Sequence, residues 1–450
     1  MYGCVLAGAT IVLAKTSLTE RELHYQAGDA DCTHVITDEQ YTTKVIAAVA
    51  NLNMKALFCI GSAAGFVSAS QFSTLDEKDF YECPIADPRK SLLAVCYTSG
   101  STGLPKGAEI THYNYVASFH LLRLGMPWGD GDIFLGSIPI THITGMMFSM
   151  TAILEGACCA LVSDKLTPTE ILDTVIKYKA TTAFFFPSQL QAIVCLMRRK
   201  GHDLPSMRAI TVGGSALSSA AAEAARQCFS GLKVLQKAYG MTESCSVFTC
   251  QSRTGEPQTT ADVGVPLSNC ELKVVDVKTR QKLGPHQTGE ICYRAPTMVR
   301  GYYKRPKETA ELFDDEGWCM SGDAGYYDES GRLYIVERLK QMIKCMDKQV
   351  VPAELEELLL RQHAEEIVEV SVVGLPHSDH GEAPAAAIVL SEVGSRQDLL
   401  TLAERIKATV ASNFAVHKHL HGGVYFVDSI PKTETAKVNR PALARTLLRS

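Results

Sequence analysis

Tyr97-Thr98-Ser99-Gly100-Ser101-Thr102-Gly103-Leu104-Pro105-Lys106-Gly107 packs two hydroxyl pairs, three glycines and a lysine into one short stretch. Glycine lets a backbone wrap closely around an anion, while Ser/Thr hydroxyls and an ammonium supply donors and charge. That chemistry suits a polyphosphate. The spacing differs from G-x-x-x-x-G-K-[ST], the P-loop of many NTPases. Lys106 is followed by Gly107 and Ala108, so no hydroxyl stands there to reach magnesium. Composition alone leaves open a glycine- and serine-rich surface turn.

Outward from this loop, the pattern is alternation. The apolar run over 92–97 predicts a buried strand entering the loop, and 112–124 a helix leaving it. Strands are predicted over 33–37, 56–60, 157–162 and 182–186, with helices over 39–51 and 168–179. This order argues a layered α/β architecture with partly parallel sheets. Such sheets bind phosphates outside their strand ends. From Gly289 the pattern shifts to short strands with glycine turns, including a hairpin turn at Asp328-Glu329-Ser330-Gly331 before a return strand over 333–336. A helix beginning after Pro352 within 349–360, strands over 367–373, 385–390 and 423–427, and a helix over 398–414 predict a compact α+β unit. Repeats and low-complexity tracts are absent from the sequence.

The 450 residues can bury more than one core. Hydrophobic residues at 46% and charged residues at 21% read as globular. A formal net charge of -5 with dispersed Lys and Arg gives no basis for a nucleic-acid surface. The fifteen cysteines form no paired C-x-x-C pattern, which fits scattered reduced thiols better than disulfides or zinc. The charge-free run 133–154 is long enough to question as a membrane span. It contains Pro139, His142 and two glycines, so a strand end, loop and core helix are expected and no transmembrane segment is predicted. The apolar opening 1–14 lacks a basic region before its apolar stretch and is read as core sequence rather than a signal peptide.

The loop string resembles the phosphate-binding signature of the adenylate-forming superfamily, which includes acyl-CoA synthetases, 4-coumarate-CoA ligases, beetle luciferases and peptide-synthetase adenylation domains. Four more segments match in the same order: Tyr239-Gly240-Met241-Thr242-Glu243, the run 288–302, the run 317–344, and Pro431-Lys432 leading to Lys437. The resemblance covers nearly the whole chain. It implies a large layered α/β adenylation domain over 1–336 and a small mobile α+β domain over 337–450, with a hinge near Glu337. Family members carry a long segment ahead of the part that Gly3 to Ala9 resembles, so this chain is expected to be an N-terminally short form.

The resemblance also implies chemistry. ATP and a carboxylic acid would give acyl-AMP and pyrophosphate, and coenzyme A would then take the acyl group. Thr98, Ser99, Gly100, Ser101, Thr102, Gly103 and Lys106 would hold the outer phosphates. Tyr239 would pack on adenine, Gly240 would let the nucleotide approach closely, Thr242 would contact the α-phosphate, and Glu243 would hold Mg2+. Asp323 would grip the ribose hydroxyls and Arg338 the ribose or phosphate side. Lys437 would reach the substrate carboxylate and α-phosphate from the small domain. His142, Thr144, Gly145, Met146, Gly213, Gly214, Ser215, Gly240 and Met241 would line the acyl side. That lining is small and mostly apolar, which favours an aromatic or medium-chain acid over an amino acid. His142 alone could equally be a core histidine.

The sequence departs from the family pattern at the hinge, where Glu337 stands in place of an aspartate, and more strongly just after it. After Ile343-Lys344, relatives continue with an aromatic, Lys, Gly, an aromatic and Gln, whereas this chain has Cys345-Met346-Asp347-Lys348-Gln349. Ala436 replaces the glycine before Lys437. The adenylation half therefore reads as better preserved than the thioester half. An adenylating protein with weak or absent CoA transfer, and a non-catalytic acyl- or nucleotide-binding remnant, stay open beside the ligase. No protein partner is predicted. Arg449-Ser450 does not end an S-K-L address, so the cytoplasm is the expected compartment.

Overall fold

The computed structural model describes residues 1–98, 104–126, 128–162, 167–251, 261–346, 348–432 and 438–449. The largest sheet carries five parallel strands in the spatial order Val234–Met241, Ala209–Gly213, Thr182–Phe185, Ile133–Gly136 and Cys158–Leu161. Ser246–Cys250 and Val265–Pro266 extend it antiparallel beyond Val234–Met241.

Side-chain alternation along these strands sorts the core into two layers. Phe134 and Phe184 point into one cluster with Tyr115, Leu122, Met146 and Phe148, from the helices His112–Gly125 and Ile143–Leu154. Their neighbours Leu135, Ala183 and Phe185 point into another, with Ile171, Leu190 and Ala222 from the helices Pro168–Tyr178, Pro187–Lys200 and Ser219–Cys228. Helices thus cover both faces, as a parallel sheet buried on both sides requires. Local signals start them: Thr167 and Glu170 form a capping box ahead of Pro168, and Thr111 and Asn114 do the same for His112–Gly125.

The strand Leu92–Thr98 lies in a separate small sheet. It runs parallel to Ile11–Val12 and antiparallel to Lys106–Thr111. Thr98 faces Lys106 across that pair, so residues 99–105 connect the two strands of a hairpin.

Glu271–Val275, Gly289–Arg294, Cys319–Tyr327 and Leu333–Arg338 form an antiparallel sheet. The chain then enters another sheet, in the order Lys348–Val350, Ile343–Cys345, Gly381–Leu390 and Ile367–His377, with Gly423–Phe426 parallel to Gly381–Leu390. Pro352–Gln362, Leu399–Asn413 and Arg440–Leu447 pack on it around two cores of their own. A large α/β domain is therefore followed by a smaller α+β one.

Two expectations are corrected. The helix expected over 39–51 is a 3-10 turn, Glu39–Tyr41, followed by Thr42–Val49. The helix expected to begin after Pro352 does so, as Pro352–Gln362, and the residues ahead of it, Lys348–Val350, form a strand paired with Ile343–Cys345; proline suits the first helical position, where its missing N–H costs nothing. The opening residues are not core: the helix Tyr2–Leu6 buries no residue, and Met1, Val5, Ile11 and Leu13 pack only partly buried. The run 133–154 divides into the strand Ile133–Gly136, a turn and the helix Ile143–Leu154. No described helix is long and apolar enough to cross a membrane.

Candidate active site

The carboxyl ends of four adjacent parallel strands, at Met241, Gly213, Phe185 and Gly136, lie along one edge of the main sheet. The connections leaving that edge carry Thr242 and Glu243, Gly214 and Ser215, Phe186, and His142. Such an edge is where open α/β sheets bind ligands.

His142 precedes the helix Ile143–Leu154, and its Nδ1 accepts a hydrogen bond from the Thr144 N–H at 3.2 Å. That bond leaves any proton on a neutral ring at Nε2. The ring stands edge-on to Phe186 at 5.5 Å. Behind it Phe186 meets Phe184, and Phe184 meets Phe148. Sequence reading passed over this aromatic wall, whose signal was the run Phe184-Phe185-Phe186 ahead of Pro187.

Three of the four expected acyl-side glycines, Gly145, Gly213 and Gly240, sit under tight packing. A Cβ on Gly145 would stand 2.2 Å from the Pro139 carbonyl oxygen, so this glycine lets the helix seat against the preceding turn. A Cβ on Gly213 would meet the Phe184 ring at 2.9 Å, and one on Gly240 the Ser246 carbonyl oxygen at 2.1 Å. Gly214 has φ +89 and is exposed, as is Ser215. Thr144 and Met241 are half-buried, whereas Met146 lies in the core at 2% exposure.

Thr242 and Glu243 occupy a 3-10 turn, Thr242–Ser244, closed by Cys245 at φ +53. Glu243 Oε1 accepts a 2.7 Å hydrogen bond from the Tyr302 hydroxyl. The other side of the site meets the same tyrosine, since Lys106 Nζ lies 4.3 Å from the Tyr302 ring centre. Sequence reading did not single out Tyr302.

Tyr239, Asp323 and Arg338 form a third group. The Tyr239 hydroxyl donates to Asp323 Oδ2 at 2.6 Å. Burial, then the facing carboxylate, holds this phenol well above its ordinary pKa, so it remains a donor. Arg338 Nε lies 3.1 Å from Asp323 Oδ1, and that carboxylate raises the guanidinium above its usual value. The Tyr239 ring also packs edge-on against Phe248. The structure therefore joins Tyr239 to an acid 84 positions away in sequence.

Glu337, next to Arg338, lies within 3.9 Å of Arg440, which also holds Glu356 at 2.7 Å. Arg440 opens the last helix. Ser99, Gly100, Ser101, Thr102, Gly103, Asp347 and Lys437 lie outside the described residues; Thr98 and Lys106 flank the loop as paired strand residues.

Among the described residues, no group of three or more His, Cys, Asp or Glu side chains could hold a metal alone. Mg2+ is commonly held by one or two carboxylates together with substrate phosphate oxygens. The Glu243 carboxylate, oriented by Tyr302 near the phosphate-loop lysine, fits that donor set.

The chain matches the family of AMP-binding enzymes over residues 1–303 and the AMP-binding enzyme C-terminal domain over 354–437. It is 33% identical to luciferin 4-monooxygenase of Nipponoluciola cruciata over 382 residues, spanning 84% of this chain and 66% of that one. It is 31% identical to 4-coumarate--CoA ligase of Pinus taeda over 454 residues, 99% of this chain and 82% of the relative. Among solved structures, ATP-bound MatB from Rhodopseudomonas palustris matches with a TM-score of 0.86 at 25% identity, over 98% of this chain and 84% of that chain.

Proposed function

This chain belongs to the AMP-binding enzyme family, and on that premise we propose that it uses ATP to convert a carboxylic acid into acyl-AMP and pyrophosphate, then transfers the acyl group to coenzyme A. The observation that carries the reading is that the group Lys106, Tyr302 and Glu243 meets the group Tyr239, Asp323 and Arg338, the Arg338 guanidinium feeling the Glu243 carboxylate.

In the first step a carboxylate oxygen bonds to the α-phosphorus while the bond to the β-phosphate bridging oxygen breaks. Two anionic reactants must be brought together and the developing charge stabilised. Lys106 and the loop hydroxyls of Thr98, Ser99, Ser101 and Thr102 receive the departing pyrophosphate. Asp323 and Arg338 fix the ribose, and Tyr239 packs at the base. Thr242 contacts the α-phosphate, and Lys437 brings positive charge to the carboxylate and α-phosphate. Glu243 would hold Mg2+, which neutralises phosphate charge when bound. His142, backed by Phe186, borders the acyl group, and the apolar surroundings favour an aryl or fatty acid.

In the second step the CoA thiol, after losing its proton, attacks the acyl carbon and AMP leaves. This step is proposed to follow rotation of the small domain about a hinge at Glu337. Screening aryl, medium-chain and long-chain acids with ATP and Mg2+ for pyrophosphate release tests the reading. Release with at least one acid is expected. Silence across the panel from a folded sample would reject it.

A further inference from the structure

We infer that Tyr302 is a positioning residue that couples the phosphate-loop lysine to the metal carboxylate, and so sets how strongly Mg2+ strengthens ATP binding; this rests on the nucleotide reading above. Its backbone is fixed to the strand that leaves the phosphate loop. Ala108 and Tyr302 form a β-bridge, Tyr303 N–H donates to the Gly107 carbonyl at 2.8 Å, and Glu109 N–H donates to the Gly301 carbonyl at 2.9 Å. Gly301 cannot be widened, since its φ is +152 and a Cβ there would stand 2.4 Å from the Thr309 methyl. A third tie reaches the turn that bears Glu243: Val299 N–H donates to the Glu243 carbonyl at 3.0 Å.

The side chain uses both of its chemistries. The hydroxyl donates to Glu243 Oε1 at 2.7 Å. A donor fixed on Oε1 directs a cation toward Oε2, as hydrogen-bond partners commonly orient metal-binding carboxylates. The ring face receives the Lys106 ammonium, an attraction that strengthens when the pair is desolvated. One side chain therefore spaces the lysine from the glutamate and prevents their collapse into a direct ion pair. The triphosphate and its metal would enter between a held cation and an oriented anion.

The hydroxyl and the ring can be separated by mutation. Tyr302 is 8% exposed, and Tyr302→Phe keeps its shape and the ring beneath Lys106. Tyr302→Leu removes both contributions. ATP binding is measured by calorimetry for wild type and both variants, in EDTA and in saturating Mg2+, without acid substrate. In Tyr302→Phe the gain in affinity from Mg2+ is expected to shrink about tenfold, with the EDTA affinity unchanged. In Tyr302→Leu the EDTA affinity is expected to fall as well. An unchanged Mg2+ gain in Tyr302→Phe, or equal losses with and without Mg2+, would overturn the assignment and leave a packing role. If ATP binding follows the expected split but no acid yields pyrophosphate, the coupling stands and the adenylation reading falls. A wild type that binds no ATP rejects both.

Discussion

The Arg338 guanidinium lies 3.1 Å from the Asp323 carboxylate, directly opposite it on the neighbouring strand. Arg338 ends the last strand of its sheet, and only a short 3-10 turn, Leu339–Gln341, separates it from the sheet of the small domain. Asp323 also accepts from Tyr239, so a single buried carboxylate gathers Tyr239 and the residue beside the proposed hinge. Nucleotide contact and domain rotation would then act through adjoining residues.

Asp323→Asn should weaken ATP binding about tenfold or more, the scale of a lost hydrogen bond to a charged group. A binding isotherm checks this. The fold should tolerate the change, because the amide keeps the shape and can still accept from Tyr239. Unchanged ATP affinity would remove Asp323 from the nucleotide site.

Lys437→Ala should slow acyl-AMP formation by roughly 10²–10³, the usual cost of removing one donor that acts where charge develops. ATP affinity should change much less, because Lys106, Glu243 and Asp323 are retained. Single-turnover kinetics beside an ATP isotherm separates the two. Equal rates in variant and wild type would exclude the lysine from the chemistry.

Glu337 gives a pH dependence of stability. Burial raises its carboxyl above the ordinary 4.5, opposed by Arg440 and by the Arg338 N–H. The folded state then binds more protons than the unfolded state between 4.5 and the raised value, so this group's contribution to stability falls as pH rises through that window. Glu337→Gln should remove the fall. The stability difference, variant minus wild type, should move in favour of the variant as pH rises from 4 toward neutrality (roughly one pKa unit corresponding to ~1.4 kcal/mol). Thermal melts across that range would show it. A difference that stays flat with pH would mean that Glu337 is not desolvated.

Met346 adopts φ +54, a left-handed conformation rare for residues other than glycine. It follows Ile343–Cys345, ahead of the return strand Lys348–Val350, and its N–H donates to the His380 carbonyl. Asp347 completes the connection in sequence. If this segment meets CoA during thiolation, a carboxylate there opposes its phosphates. Asp347→Gly should speed acyl-CoA formation and leave acyl-AMP formation nearly unchanged, read by following both products with time. Fast thiolation in wild type with no gain in the variant would show that Asp347 is harmless.

Much of the architecture could be read from local pattern, because buried strands and capped helices announce themselves in a few consecutive residues. Pro168 and Thr167 with Glu170 mark a helix start that the structure retains. Apolar content misled at residues 1–14, since it does not say whether a neighbour will cover the segment. At Pro352, the preceding Lys348–Val350 pairs across a hairpin, and pairing of that kind depends on a partner strand rather than on propensity. The candidate site was legible where chemistry is carried by consecutive residues, as in Tyr239 to Glu243. Tyr302 was not, because its meaning comes from Glu243, 59 positions away, and from Lys106 on another strand. Gly145 likewise reads as an open lining residue until the Pro139 carbonyl is placed against it.

The most direct measurement is mass spectrometry of a single-turnover mixture of protein, ATP, Mg2+ and an acid selected by the pyrophosphate screen, with CoA withheld and then added. The account predicts acyl-AMP in amounts stoichiometric with pyrophosphate before CoA, followed by its conversion to acyl-CoA and AMP. ATP that remains intact, or is hydrolysed without any acyl-AMP, would contradict it.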